Sequence, residues 1–156
     1  MSAYKLYQKV TPWPCGHWLF TQIICFKAPY FKTMRPKMIS MKSGEATVFL
    51  KKRRRVHNHI QTVHVIAICN ALEMAMGMVV EATIPNHLRW LPQSMNVAYP
   101  AKSNSDITAV ARVDPAAFRP NESVPVEVKA YRADGTVVVD GVISVWVTEK
   151  PTKKAV

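Results

Sequence analysis

Between Thr62 and Ala82 the chain reads TVHVIAICNALEMAMGMVVEA, a stretch rich in strong helix formers and apolar nearly all round a helix. A helix with no wet face has to be enclosed on every side. Its length is close to that needed to cross a bilayer, but Glu73 stands at its middle with His64 and Asn70 nearby, and such groups are costly in lipid. The segment is therefore expected to be the buried core helix of a globular protein with no membrane partner.

The rest of the chain indicates what encloses it. Lys37 to Lys42 and Glu45 to Arg54 flank Ser43-Gly44 as strand, turn and strand. Beyond Pro85 the pattern has period two: Ser94 to Tyr99, Asp106 to Val113, Val124 to Arg132 and Thr136 to Glu149 read as strands rich in Val, Ile, Thr and Ala. Ala133-Asp134-Gly135 is a hairpin turn signal, and Gly141 marks an expected bulge or bend. These strands follow one another without crossover helices, so the sheet is antiparallel and the class is α+β. One apolar helix is buried only if that sheet curls around it, and a second subunit is the expected cover for what remains. Before Pro36, prolines at 12, 14 and 29 cut an aromatic-rich segment into short pieces, with one helix over His17 to Lys27.

Three cysteines, Cys15, Cys25 and Cys69, form an odd set without a CxxC pair, and no signal peptide is evident, which suits a reducing cytoplasm. Cys15 and His17 lack a second pair of ligands for zinc, so no metal is expected. The formal charge of +11 attracts phosphates and other anions without choosing among them. Its densest run is Lys51 to Arg55; nucleic-acid binding would call for further basic clusters with interleaved aromatics, and there are none.

Polar side chains in the apolar segment are expensive unless they are paired or used. At 100° per residue Thr62, Ile66, Asn70, Glu73 and Gly77 share one stripe, which makes Thr62 and Asn70 candidate substrate-binding residues beside a candidate general base, Glu73. His64 lies nine residues before Glu73, half a turn out of phase and roughly 13 Å away along the axis, so the two cannot converge within one helix. Two copies related by a twofold axis with antiparallel helices would bring Glu73 of one chain to the free N–H groups around His64 and Val65 of the other. Such groups, at the positive end of a helix dipole, suit a developing oxyanion.

The phrase Asn58-His59-Ile60-Gln61-Thr62-Val63-His64, followed by Glu73, resembles the helix entry of the PaaI-like hotdog-fold thioesterases, in which an Asn, a His six residues later and an acid nine beyond it hold these places. Trp18-Leu19-Phe20, Ala28-Pro29-Tyr30 and the stretch from His57 to Glu73 are closer to an uncharacterised hotdog subfamily related to the thioesterase-like domain of YiiD-type proteins. The likeness runs from about Pro12 to Val147 and includes Tyr99-Pro100-Ala101-Lys102. With the length of one domain and a tail that carries no apolar pattern, it gives an expected single domain over residues 1–156: an N-terminal helical or irregular segment to 36, a hotdog core over 37–149 and a loose tail over 150–156. It also implies a homodimer or tetramer that hydrolyses an acyl-CoA thioester without a separate cofactor. Glu73 would be the base or nucleophile, Asn58 and His64 would assist, the Val65 N–H would hold the oxyanion, and Arg54 and Lys102 would meet the phosphates of coenzyme A.

The family histidine is usually followed by two glycines, whereas Val65 and Ile66 stand here, which narrows the approach to the backbone and favours an alternative, binding of an acyl thioester without turnover. A further alternative, a 3-hydroxyacyl thioester dehydratase, pairs a histidine with an acid fourteen positions later, the separation of His59 and Glu73.

Overall fold

A computed structural model describes residues 2–151; the expected loose tail lies outside them from residue 152 onward. Two helices, α1 (Ala3–Val10) and α2 (Gly16–Lys27), precede the sheet strands β1 (Lys37–Lys42) and β2 (Glu45–Leu50). The long helix α3 (Val65–Thr83) follows, and then come β3 (Leu88–Ala98), β4 (Ile107–Arg112), β5 (Glu122–Arg132) and β6 (Val137–Glu149). The six strands form one sheet in the order β1-β2-β4-β5-β6-β3. Every pairing is antiparallel.

Strand alternation puts Ala46, Val48 and Leu50 of β2 and Ile107, Ala109 and Ala111 of β4 on the face that holds α3, all fully buried. Val124 to Ala130 on β5 and Ile143 to Val147 on β6 repeat the same period. From α3 itself Leu72, Met74, Ala75, Met76, Val79 and Val80 are inaccessible to solvent. Two thirds of the window that is long and apolar enough to span a membrane is buried in this way, which is the position of a core helix. The N-terminal helices share the same core: Phe20 and Ile24 of α2 belong to it, and Tyr7 of α1 meets Phe20 edge to face at 5.1 Å between ring centroids.

Several boundaries differ from the sequence reading. β2 ends at Leu50, opposite Ile107, the first residue of its partner β4, so the basic run leaves the sheet instead of extending it. The Lys52 N–H is taken by Asp106, and Arg54 to Val56 form a single 3-10 turn. Helix α3 starts at Val65 and not at Thr62, because His64 caps it: the His64 backbone is extended and its Nδ1 accepts from the Ile66 N–H at 3.1 Å. β3 begins at Leu88, six residues before the expected Ser94. Gly141 makes no bulge; it sits opposite Val97 in regular pairing, where a Cβ would fall 2.1 Å from the Asn96 carbonyl oxygen, so only glycine admits β3 this close. Helix α1 had no counterpart in the sequence reading, although Ser2 caps it by accepting from the Lys5 N–H.

Candidate functional site

The approach to α3 is built by local hydrogen bonds. Asn58 Oδ1 accepts from the N–H groups of Ile60 and Thr62, and its amide donates to Thr62 Oγ1 at 2.8 Å, closing a tight turn in which Gln61 takes a left-handed φ of 62°. The loop after β3 clamps this turn: Val63 donates to the Ser103 carbonyl, and buried Ser103 returns its hydroxyl to the Val63 carbonyl at 2.7 Å. His64 donates its N–H to the Val56 carbonyl at 2.7 Å. Among the described residues no acceptor meets the Val65 N–H, which opens α3.

Two cavities lie along α3. The first, of about 500 Å³, surrounds the helix N-terminus and is lined by His64, Ile66, Ala67 and Asn70 of the helix, with Tyr30, Thr33, Arg55 and His57 among the residues opposite. The second, of about 250 Å³, is apolar: Glu73, Met74, Met76, Gly77 and Met78 form one wall, and Ile24, Ala28, Phe31, Trp90 and Pro92 supply most of the rest. The 3-10 turn Pro29–Thr33 stands between them, giving Tyr30 and Thr33 to one and Phe31 to the other. Glu73 is the one carboxylate on either lining. A single turn of helix thus carries a hydrogen-bonding compartment into an apolar one that holds a lone acid.

The structure distributes the expected site residues unevenly. Asn70 and Glu73 sit one turn apart on α3 but open to different cavities, Asn70 to the first and Glu73 to the second. His64 borders the first cavity with an exposed ring whose Nδ1 is engaged as the helix cap. Thr62 and Asn58 are spent on the turn and border neither cavity, so the stripe begins at Ile66. Glu73 is half-buried and not fully enclosed as its apolar neighbours suggest. His59 is exposed in the turn and lines neither cavity, whereas Glu73 lines the second, so these cavities do not bring together the pair a dehydratase needs.

The basic run splits three ways. Arg53 folds back, its guanidinium donating to the carbonyls of Met34 and Arg35, and burial followed by the charges of Arg35 and Arg55 draws its pKa below the usual value. Arg54 points to solvent, while Arg55 borders the first cavity. Lys102 is exposed beside Ser103. Sequence reasoning missed His57, Ser103, Phe31 and Trp90; only the strand-like flanks of Trp90 carried a signal.

Comparison with known proteins fits this architecture. Residues 16–147 match the family model described as "Domain of unknown function (DUF4442)". None of the curated proteins matches the chain. The crystal structure of the genomics protein APC5556 is 36% identical with a TM-score of 0.81, over 95% of this chain and 99% of that one. The BH2602 protein from Bacillus halodurans, crystallised with CoA, is 25% identical with a TM-score of 0.57, over 65% of this chain and 66% of that one. A thioesterase family protein from Silicibacter pomeroyi shares the fold at 12% identity, with a TM-score of 0.70 over 83% of this chain and 96% of that one. A long helix held by a six-stranded antiparallel sheet, preceded by a short helical segment, is the hotdog fold seen in thioesterase-family structures such as the one from Silicibacter pomeroyi, and the chain belongs to the DUF4442 family.

Proposed function

We propose that the protein hydrolyses a small or medium acyl-CoA thioester at a site shared by two copies of the chain. The observation that carries this reading is Glu73, the one carboxylate bordering an apolar cavity, one helical turn from the polar compartment at the α3 N-terminus. Water, activated by Glu73, adds to the thioester carbonyl; the oxyanion is held by the free Val65 N–H of the facing chain; collapse breaks the C–S bond and the thiol leaves with a proton. Attack by Glu73 itself, followed by hydrolysis of the anhydride, gives the same products. Asn70 and His64 border the path of the thioester, and Arg55, with Arg54 and Lys102 nearer solvent, offers cations to the phosphates of CoA. The CoA bound to BH2602 supports this choice of ligand.

A homodimer is supported by β3, whose outer edge pairs with no strand among the described residues and whose Leu91 is 70% exposed. Two β3 edges meeting antiparallel across a twofold axis would run the two α3 helices in opposite directions. Dimers could pair again into tetramers, and a cytoplasmic setting suits both the thiols and the substrate. The test is thiol release from acyl-CoAs between acetyl and palmitoyl, with Glu73→Ala and Glu73→Gln beside the wild type. Turnover lost by at least about a hundredfold in both variants supports the reading, and unchanged turnover sinks it.

One observation favours binding without turnover. Val65 and Ile66 put two β-branched side chains at the helix entry, of which Ile66, 55% exposed, lines the first cavity. If these side chains limit catalysis, Val65→Gly with Ile66→Gly raises turnover; equal turnover removes this reading.

A further inference from the structure

On the α3 face that carries Glu73, steps of four residues lead to Gly77 and then Glu81. Trp90 from the start of β3 lies across that face. A Cβ placed on Gly77 would meet the indole at 3.4 Å (Cη2) and 3.8 Å (Cζ2), which is ordinary van der Waals contact, so the ring lies flush against the helix with room for no more than a methyl between them. The indole N–H, its single donor, is taken by Glu81 Oε1 at 3.0 Å. The ring is thus seated by one residue and tethered by another, one turn beyond the carboxylate, at a rise of about 6 Å.

We infer that Trp90, seated on Gly77 and tethered by Glu81, is the end wall of an acyl pocket and sets the length of chain it accepts. This rests on the proposed site at Glu73. The cavity that both the acid and the indole line is a half-open cleft bordered by Ile24, Phe31, Met74 and Met78. At about 250 Å³ it holds on the order of eight groups of methylene size, each taken as close to the ~30 Å³ share of a water molecule. The preferred ligand is therefore an unbranched, medium-length acyl chain, because beyond Glu73 the lining is apolar except for Lys27. The N-terminal segment serves specificity as well as packing, since Ile24, Ala28 and Phe31 form the wall facing α3.

The experiment is calorimetric binding of S-alkyl-CoA thioethers, which no hydrolase cleaves, with chains from ethyl to hexadecyl. Wild type, Trp90→Ala, Trp90→Phe and Glu81→Leu are compared, each first shown to be folded by circular dichroism. Wild-type affinity should peak near the octyl chain. Trp90→Ala should move the peak to longer chains, improving the ratio of dodecyl to octyl affinity by about tenfold, with Glu81→Leu and Trp90→Phe, which both lose the tether but keep the full indole or a ring, intermediate. An unchanged length profile in Trp90→Ala overturns the inference, as does wild-type affinity that ignores chain length or no binding at all. Thiol release with the Glu73 variants is a separate readout, so loss of the catalytic reading is distinguishable from loss of the wall.

Discussion

β1 and β3 are the two edges of the same sheet, and the chain treats them in opposite ways. β1 is six residues long and lies under α2, whose buried Thr21 turns its hydroxyl toward the strand and accepts the Met38 N–H at 3.0 Å. β3 is eleven residues long and largely exposed, with Leu91 and Met95 open to solvent. A long, apolar, unpaired edge invites another strand, whereas a short edge with its polar backbone capped does not. The chain finishes one edge itself and leaves the other open, and the apolar cavity by α3 lies toward the open side, since β3 supplies Trp90 and Pro92 to it.

Four changes test that contrast, beginning with the largest effect. Phe20→Ala removes a side chain with no solvent exposure that joins α2 to the core, and should cost about 3–5 kcal/mol in denaturant unfolding; a loss under about 1 kcal/mol would mean that the N-terminal layer does not hold the β1 edge. On the open edge, Leu91→Asp with Met95→Asp should yield a folded monomer, raising the dissociation constant about a hundredfold, or roughly 3 kcal/mol, by sedimentation. If the assembly is indifferent, β3 is not the interface. Thr21→Val keeps the shape of α2 but strands the Met38 N–H, at a cost of about 1–3 kcal/mol, and hydrogen exchange at Met38 should quicken.

The smallest effect lies where β1 and β2 meet. Glu45 accepts from Arg112 at 2.7 Å and lies 3.3 Å from Lys42, and these two bonds, Arg112's first, hold its carboxyl below the usual pKa. Because the unfolded state binds this proton more readily, the contribution is complete above about pH 4.5 and is lost as pH falls through the lowered folded value. The pair is partly exposed, so Glu45→Gln should remove only a few tenths of a kcal/mol at neutral pH. It should also flatten the acid limb of the stability profile, and an unaltered limb would show that the pair contributes nothing.

How much of this was legible in the sequence depends on how local the cause is. α3 could be read because its apolar run is unbroken, and β4, β5 and β6 because each buries alternate residues. β3 was cut short because Pro92 falls inside it; on an edge strand a proline is tolerated, and the ladder accommodates it with a shift of register between Pro92 and Ser94. α1 escaped notice although Ala3, Tyr7 and Val10 recur at helical spacing, since Pro12 and Pro14 just beyond it marked the segment as broken into short pieces. At the site, Glu73 and Asn70 stood out as polar residues in an apolar run. Their assignment to separate cavities depends on the 3-10 turn at Pro29–Thr33, whose place against α3 is a tertiary contact that no spacing within residues 58–77 encodes.

The strand order has a consequence for how the polypeptide is made. β6, late in sequence, is an inner strand between β5 and β3, and β3 pairs with nothing else. A nascent chain that has not yet extruded Val137–Glu149 can join β1, β2, β4 and β5 around α3, but β3 has no template and the far side of the helix stays bare. Such an intermediate should be held by chaperones and cut readily by proteases between Leu88 and Ala98, and resistance should arrive in one step when the final strand slots in.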